Sequence, residues 1–152
     1  MRLPRFSVVL LCGLMSTSAL ALDVENMPIR LGDTYQKVKE AYQTSLEPEP
    51  TKSITPGTTS LRLRTKGVWF FFKRDGQIYA IRLDAPFASP IAGVKIGDSV
   101  TQMQKVLGKP AKIPSTISSF QPRSYIYYPD DSTTVNFRAN TDDEIETIFI
   151  TK

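Results

Sequence analysis

Leu31-Gly32-Asp33-Thr34 returns 65 positions later as Ile96-Gly97-Asp98-Ser99, and the reading of this pair decides the fold. Val38, Ala41 and Tyr42 return at the same offset as Met103, Val106 and Leu107. Further on, Val68-Trp69-Phe70 is echoed by Val135-Asn136-Phe137, and Ile78, Ile81 and Leu83 by Ile145, Ile148 and Ile150, now at an offset of 67. A two-residue insertion in the intervening loop would account for the change. Residues 29–83 and 94–150 therefore read as one supersecondary unit written twice. Such a unit buries its apolar surface against its copy, and the pair shares one working surface.

Each unit opens with an extended residue pair, a Gly-Asp turn and a hydroxyl residue suited to accept from the free amides of a helix start, Thr34 or Ser99. Gln102 stands three residues after Ser99 and completes a capping box, whereas Lys37 after Thr34 does not, so the second helix start is the better specified. Tyr35, Val38, Ala41 and Tyr42 form one apolar stripe at spacings of three and four, as do Val100, Met103, Val106 and Leu107. The second helix should stop at Gly108, in a left-handed terminal conformation, before Pro110; the first runs into the proline-spaced, extended stretch from Leu46 to Pro50.

Strand signals follow each helix. Leu61 and Leu63 alternate with Arg62 and Arg64; Val68, Phe70 and Phe72 alternate with Trp69, Phe71 and Lys73; Asp75-Gly76 turns the chain into a strand from Ile78 to Leu83. In the second unit the strands are predicted from Tyr125 to Tyr128, Val135 to Arg138 and Ile145 to Ile150. The expected fold is α+β: two tandem units, each a helix plus a three-stranded antiparallel meander, sharing one sheet with the helices on one face. The segment 84–93, with two prolines and a glycine, is a short linker, and 51–59 and 114–122 are polar loops at equivalent places.

Ahead of the fold, Arg2 and Arg5 precede an apolar stretch that ends in Ala19-Leu20-Ala21, the pattern of a secretory signal, too short for a spanning helix. Residues 1–21 are expected to be removed, leaving 22–152 as a single domain with no integral membrane segment. Lipidation would need a small residue before Cys12, where Leu11 stands. Cys12 is the only cysteine, so the mature chain would hold no disulfide, no thiol nucleophile and no thiolate ligand. The expected location is periplasmic or secreted. Loss of the two signal arginines leaves 17 basic against 15 acidic residues, a balance of +2 that is too small to argue for nucleic acid or an anionic membrane by long-range attraction, and no nucleic-acid partner is expected.

The residue pattern in Val94-Lys95-Ile96-Gly97-Asp98-Ser99 and Val106-Leu107-Gly108-Lys109-Pro110 resembles the small envelope domains typified by the BamE (SmpA/OmlA) outer-membrane lipoproteins. Two such units in one exported chain are similar to the β-lactamase inhibitor protein (BLIP) family. That resemblance implies a continuous concave sheet with helices behind it, and a role in inhibition or envelope assembly. The first unit lacks Leu-Gly-x-Pro, and the chain lacks the disulfides of the inhibitor family and the lipidated cysteine of the lipoproteins.

Histidine is absent throughout, so the commonest general base is missing, no catalytic residue is assigned, and no enzyme activity, cofactor or metal is expected. Asp130-Asp131 and Asp142-Asp143-Glu144 fall in strand connections, where solvated turn residues are the simpler reading than a calcium site. The aromatic run says more. If Val68, Phe70 and Phe72 pack under the helices, Trp69 and Phe71 emerge on the other face beside Arg62, Arg64, Lys73 and Arg82. The second unit would add Asn136, Arg138 and Phe149, with Tyr125 and Tyr127 as neighbours. The alternative is that Trp69 and Phe71 fill a second core layer against a loop or the other unit.

An aromatic and arginine surface has the composition of protein-binding hot spots. The predicted partner-binding residues are Arg62, Arg64, Trp69, Phe71, Arg82, Tyr127 and Arg138, and the expected partner is another periplasmic or envelope protein, with the chain acting as an inhibitor, immunity or assembly factor. The competing expectation is a small-ligand or cell-wall-fragment binding protein or enzyme with a deep pocket holding a carboxylate beside Tyr or Lys. Self-association through the sheet edges is the third.

Overall fold

The computed structural model describes residues 27–51, 56–114 and 123–152; the expected signal segment, residues 52–55 of the first polar loop and residues 115–122 of the second lie outside them. In chain order the elements are helix α1 (Tyr35–Tyr42), strands β1 (Glu49–Pro50) and β2 (Thr59–Leu63), a 3-10 turn (Arg64–Lys66), β3 (Val68–Phe72), β4 (Ile78–Asp84), helix α2 (Val100–Leu107), and strands β5 (Arg123–Tyr127), β6 (Thr134–Ala139) and β7 (Ile145–Thr151). The strands form one antiparallel sheet in the order β1-β2-β3-β4-β7-β6-β5, with both helices on one face. The expected α+β architecture is thus present. Pairing of Glu49–Pro50 with β2 adds a short edge strand to the first unit.

The Gly-Asp motif builds the same clasp twice. Gly32 and Gly97 take φ of 88° and 92°, a left-handed backbone that glycine adopts without steric cost. This lets the Gly32 N–H donate to Ile78 O at 2.8 Å while the Ile78 N–H donates back to Asp33 O at 2.9 Å. Gly97, Ile145 and Asp98 repeat the exchange at 2.7 and 2.8 Å. Each Asp also folds its carboxylate back onto a backbone N–H three residues earlier, Arg30 for Asp33 and Lys95 for Asp98. The motif therefore ties each helix start to the first residue of its own third strand.

The helix ends differ as the capping pattern requires. Ser99 Oγ accepts from the Gln102 N–H at 3.1 Å, whereas the Thr34 side chain makes no cap bond. Gly108 ends α2 with φ 77° and ψ −162°, a positive φ but not the left-handed helical terminus expected, and its N–H closes on Gln104 O. Gln43 closes α1 in the left-handed region instead.

Beneath the helices, Val38 and Met103 are fully covered by the sheet's inner face, which carries Phe70, Phe72, Ile81, Leu83, Phe137, Ile148 and Ile150. Tyr35 meets Phe72 edge-on at 6.1 Å and Tyr42 packs on Phe70 at 5.8 Å. Full burial of side chains of this kind contributes about 1.5–3 kcal/mol each, so this layer is the main source of stability.

The last strands of the two units, β4 and β7, pair at the centre of the sheet, with Ile81 opposite Ile150, Arg82 opposite Phe149 and Leu83 opposite Ile148. Ile81 corresponds to Ile148 in the repeat, and Leu83 to Ile150. A half-turn about an axis normal to the sheet, through the Arg82–Phe149 pair, therefore exchanges the units. Both units also shift register at the corresponding place, between Phe71 and Phe72 and between Arg138 and Ala139. The outer strands correct the sequence alignment. Leu61 pairs with Phe70 as Tyr125 pairs with Phe137, an offset of 64, so the repeat slips by one residue before the first strand and by three after it. The single two-residue insertion expected from sequence is not how the units differ.

The two sheet edges are blunted. The β1 edge is two residues long and ends in Pro50. On the β5 edge, Ile126 exchanges backbone hydrogen bonds with Ala111 and Lys112, which occupies the groups a neighbouring strand would need.

Candidate functional site

Register determines which side chains share the sheet face opposite the helices. Across the strands, Arg62 lies beside Trp69, Trp69 beside Arg82, Arg82 beside Phe149, and Phe149 beside Asn136. Phe71 and Arg138 stand on the same face, one pleat further along their strands. Trp69, Phe71, Arg82, Asn136, Arg138 and Phe149 are half-buried by one another, and Arg62 is exposed. Among the described residues no helix covers this face.

The side chains form an alternating ladder of cations and rings. The Arg62 guanidinium lies 4.9 Å from the centre of the Trp69 ring, and that of Arg82 lies 5.3 Å from it. Arg82 also lies 5.5 Å from the Phe149 ring, which Arg138 approaches at 5.7 Å. All four distances are within the range in which a ring quadrupole attracts a cation. Trp69 stacks on Phe71 at 5.2 Å, and Phe71 leans on Tyr79 at 6.3 Å. Arg82 Nε donates to Asp84 Oδ1 at 2.9 Å, and the Thr147 hydroxyl donates to the same oxygen at 2.9 Å. The ladder is thus pinned at its middle by a carboxylate that a residue from the other unit also holds.

The two-fold relation explains the alternation. Trp69 and Asn136 are equivalent positions, as are Phe71 and Arg138, and Arg82 and Phe149. Where one unit has a ring, the other has a polar or cationic group, and the central strand pairing brings the unlike members together. The Trp69 Nε1 and the Asn136 Oδ1 are both buried without a hydrogen-bond partner. Each such atom costs about 1–3 kcal/mol in lost hydration.

Of the seven residues chosen from sequence, Arg62, Trp69, Phe71, Arg82 and Arg138 meet on this face. Arg64 does not continue β2. The strand ends at Leu63, and Arg64 begins the 3-10 turn, held there because Gly67, at φ 66°, packs its α-carbon against the backbone of Asp84 and Phe87. Arg64 instead lines a cleft of about 680 Å³ at the outer edge of β2, together with Arg62, Trp69, Tyr42 and Glu47.

Tyr127 belongs to the opposite face. It corresponds to Leu63 and Tyr125 to Leu61, both core positions, and Tyr125 is buried. The Tyr127 ring stands edge-on to Phe137 at 5.8 Å, and its hydroxyl donates to Gly108 O at 2.9 Å. Burial, and then the neighbouring Tyr125, raise its hydroxyl above the ordinary tyrosine range. Tyr79, Asp84 and Thr147 are members of the face that the sequence reading did not name. Tyr79 is reached only through the β4 register shift; the Leu61–Tyr125 equivalence, had it been applied, would have removed Tyr127.

The acidic clusters sit in turns, where Asp143 also pairs with Arg123. Asp130 Oδ1 accepts from the Ser132 N–H and hydroxyl at 2.8 and 2.9 Å, bonds that hold its carboxyl below the ordinary range. Asn140 Oδ1 accepts from the Asp142 and Glu144 N–H groups. Among the described residues no three His, Cys, Asp or Glu side chains converge as a metal site would require. Among the same residues no helix is long and apolar enough to cross a membrane.

No family model matches the chain, and no curated protein matches its sequence. Two solved structures are similar in fold. One is a DUF4309 family protein (YjgB) from Bacillus subtilis subsp. subtilis str. 168, at 17% identity over 78% of each chain and a TM-score of 0.52. The other is an extracellular protein containing an SCP domain from Bacillus anthracis str. Ames, at 8% identity and a TM-score of 0.57, over 80% of this chain and 44% of that one. At these identities the likeness is one of fold alone. It places the chain among small α+β domains.

Proposed function

We propose that this chain is an exported protein-binding module, periplasmic or secreted, that grips another envelope protein with the open face of its sheet. One observation carries the reading: a five-member ladder of arginines and rings, drawn from both units, on a face that no described helix covers. Half-buried rings bracketed by guanidinium groups are rigid, amphipathic anchors, the kind of side chain that dominates binding energy when a partner excludes water from it. The module is read as non-enzymatic, in the inhibitor, immunity or envelope-assembly class that the BLIP-like and SmpA/OmlA-like tandem pattern suggests. Export rests on the amino-terminal pattern of residues 1–21.

The test is capture of a partner from a periplasmic extract of the source organism by wild type, Trp69→Ala and Arg138→Ala, with the fold of each variant checked by circular dichroism. The two substitutions lie in different units. Loss of the same band in both supports one continuous face; undiminished recovery by both rejects it. A second reading, binding of a small ligand or cell-wall fragment, would use the cleft at the β2 edge. The cleft's Glu47 is paired with Lys39, and its side chain is 69% exposed, which favours a shallow contact over a catalytic carboxylate.

A further inference from the structure

We infer that the second unit holds a small-ligand site on the helix side of the sheet, and that its occupant is an aliphatic carboxylate of medium chain length. The site lies on the other face from the ladder of arginines and rings and does not depend on the protein-binding reading. It is a cleft of about 380 Å³ between the end of α2 and the β5–β6 connection, lined by Leu107, Tyr127, Tyr128, Val135, Phe137 and Lys109 among others. That volume is near the lower end of the range, about 300–1,000 Å³, of sites that enclose small molecules.

The repeat makes the cleft a property of the fold. Tyr42 and Thr44 of the cleft at the β2 edge correspond to Leu107 and Lys109, and Leu63, Arg64 and Thr65 to Tyr127, Tyr128 and Pro129. Each unit thus leaves an opening where the chain departs from its helix and passes the end of its outer strand. The linings have diverged. Glu47, Glu49, Arg62, Arg64 and Lys66 line the first cleft, whereas Lys109 is the one charged residue lining the second. Exposed large apolar side chains gather there: Tyr128 lines the cleft, Val106 precedes the lining Leu107, and Ile113 stands two residues beyond the lining Ala111. An apolar ligand body would cover such a wall.

The polar groups select the other end of the ligand. The Tyr127 hydroxyl is occupied by Gly108 O, which leaves the Lys109 ammonium and the Tyr128 hydroxyl. Both can donate, and neither has a hydrogen-bond or ion-pair partner among the described residues. No carboxylate lines the cleft, and the Asp130 carboxylate beyond Pro129 is turned onto the Ser132 N–H and hydroxyl. An aliphatic chain that ends in an anionic acceptor answers both features, because a charge-assisted hydrogen bond to Lys109 fixes the head while the rings cover the chain.

The probe is decanoate below its micelle-forming concentration, set against decanol and against vesicles of phosphatidylglycerol. Decanoate should bind saturably and shift the backbone amide resonances of Lys109, Tyr128 and Val135. Lys109→Gln should weaken decanoate about fivefold or more and leave decanol unchanged. Lys95→Gln, at an exposed position in the same unit, controls for unspecific charge and should change neither. Ala111→Phe narrows the cleft at an exposed position and should weaken both ligands about tenfold, with the fold checked by circular dichroism. Absence of saturable shifts, shifts confined to other residues, or equal weakening by Lys95→Gln overturns the inference. So does a response to the vesicles where decanoate gives none, which would make this a membrane contact. Capture of a protein partner is read with Trp69→Ala and Arg138→Ala, so failure of the ligand site and failure of the open face are separate outcomes.

Discussion

Arg82 should be the most costly of the exposed-face residues to replace, because it alone touches both rings of the ladder and its central carboxylate. Each of its two ring contacts is worth about 0.5–1 kcal/mol at a half-exposed site. The Asp84 pair, with side chains 32% and 19% exposed, adds about 0.5 kcal/mol after allowance for screening by solvent. Arg82→Met keeps the aliphatic stem and removes the rest, for an expected loss of about 2 kcal/mol. Arg82→Lys keeps the charge but not the planar fork that spans two rings, and should lose about 1 kcal/mol. In urea unfolding at neutral pH, with a slope of about 2 kcal/mol/M for a domain of this size, the Met variant should unfold roughly 1 M earlier than wild type. A double-mutant cycle with Trp69→Leu should return a coupling of about 0.5–1 kcal/mol. Zero coupling, or a Lys variant as stable as wild type, would show that the stacked geometry contributes nothing and that the ladder is only adjacency.

The two helix starts should respond unequally to loss of their hydroxyl. Ser99→Ala removes a made cap and should cost about 1 kcal/mol, while Thr34→Ala, whose side chain caps nothing, should fall within about 0.5 kcal/mol of wild type in the same unfolding assay. Acid should act on the first clasp. Partial burial works to raise the Asp33 carboxyl, but its bonds from Lys37 and the Arg30 N–H, with the charges of both, outweigh that and hold it below the ordinary range. Its contribution is therefore complete above the unfolded carboxylate value near pH 4 and is lost as pH falls through the lower folded value. Asp33→Asn should flatten the stability-versus-pH curve in that acid window; an unchanged slope would show that the clasp does not depend on ionised Asp33.

Much of the fold was legible because it is encoded locally and twice. The Gly-Asp turn, the stripes around Val38 and Met103 apart from the exposed Ala41 and Val106, and the alternation that buries Phe70 and Phe72 while leaving Trp69 and Phe71 outside are short-range patterns, and each unit corroborates the other. Legibility failed at the outer strands. Arg64 reads as a strand residue by alternation, yet the approach of Gly67 to the linker backbone, visible only in three dimensions, turns it out of the strand. Tyr127 reads as a surface aromatic until its register against Val135 makes it the counterpart of Leu63. The β1 strand escaped notice because two residues next to prolines carry no periodicity, and only β2 beside them supplies the pairing.

What the sequence alone determined is the content of each unit, since helix, turn and strand follow from residues within a few positions of one another. Which residues face one another across the sheet was decided by the tertiary structure. The ladder exists because β4 and β7 pair antiparallel about a central two-fold, and that operation sets Arg82 beside Phe149 although 67 positions separate them. Nothing in either stretch anticipates the other, because contact between distant residues depends on how whole units pack and not on their local preferences.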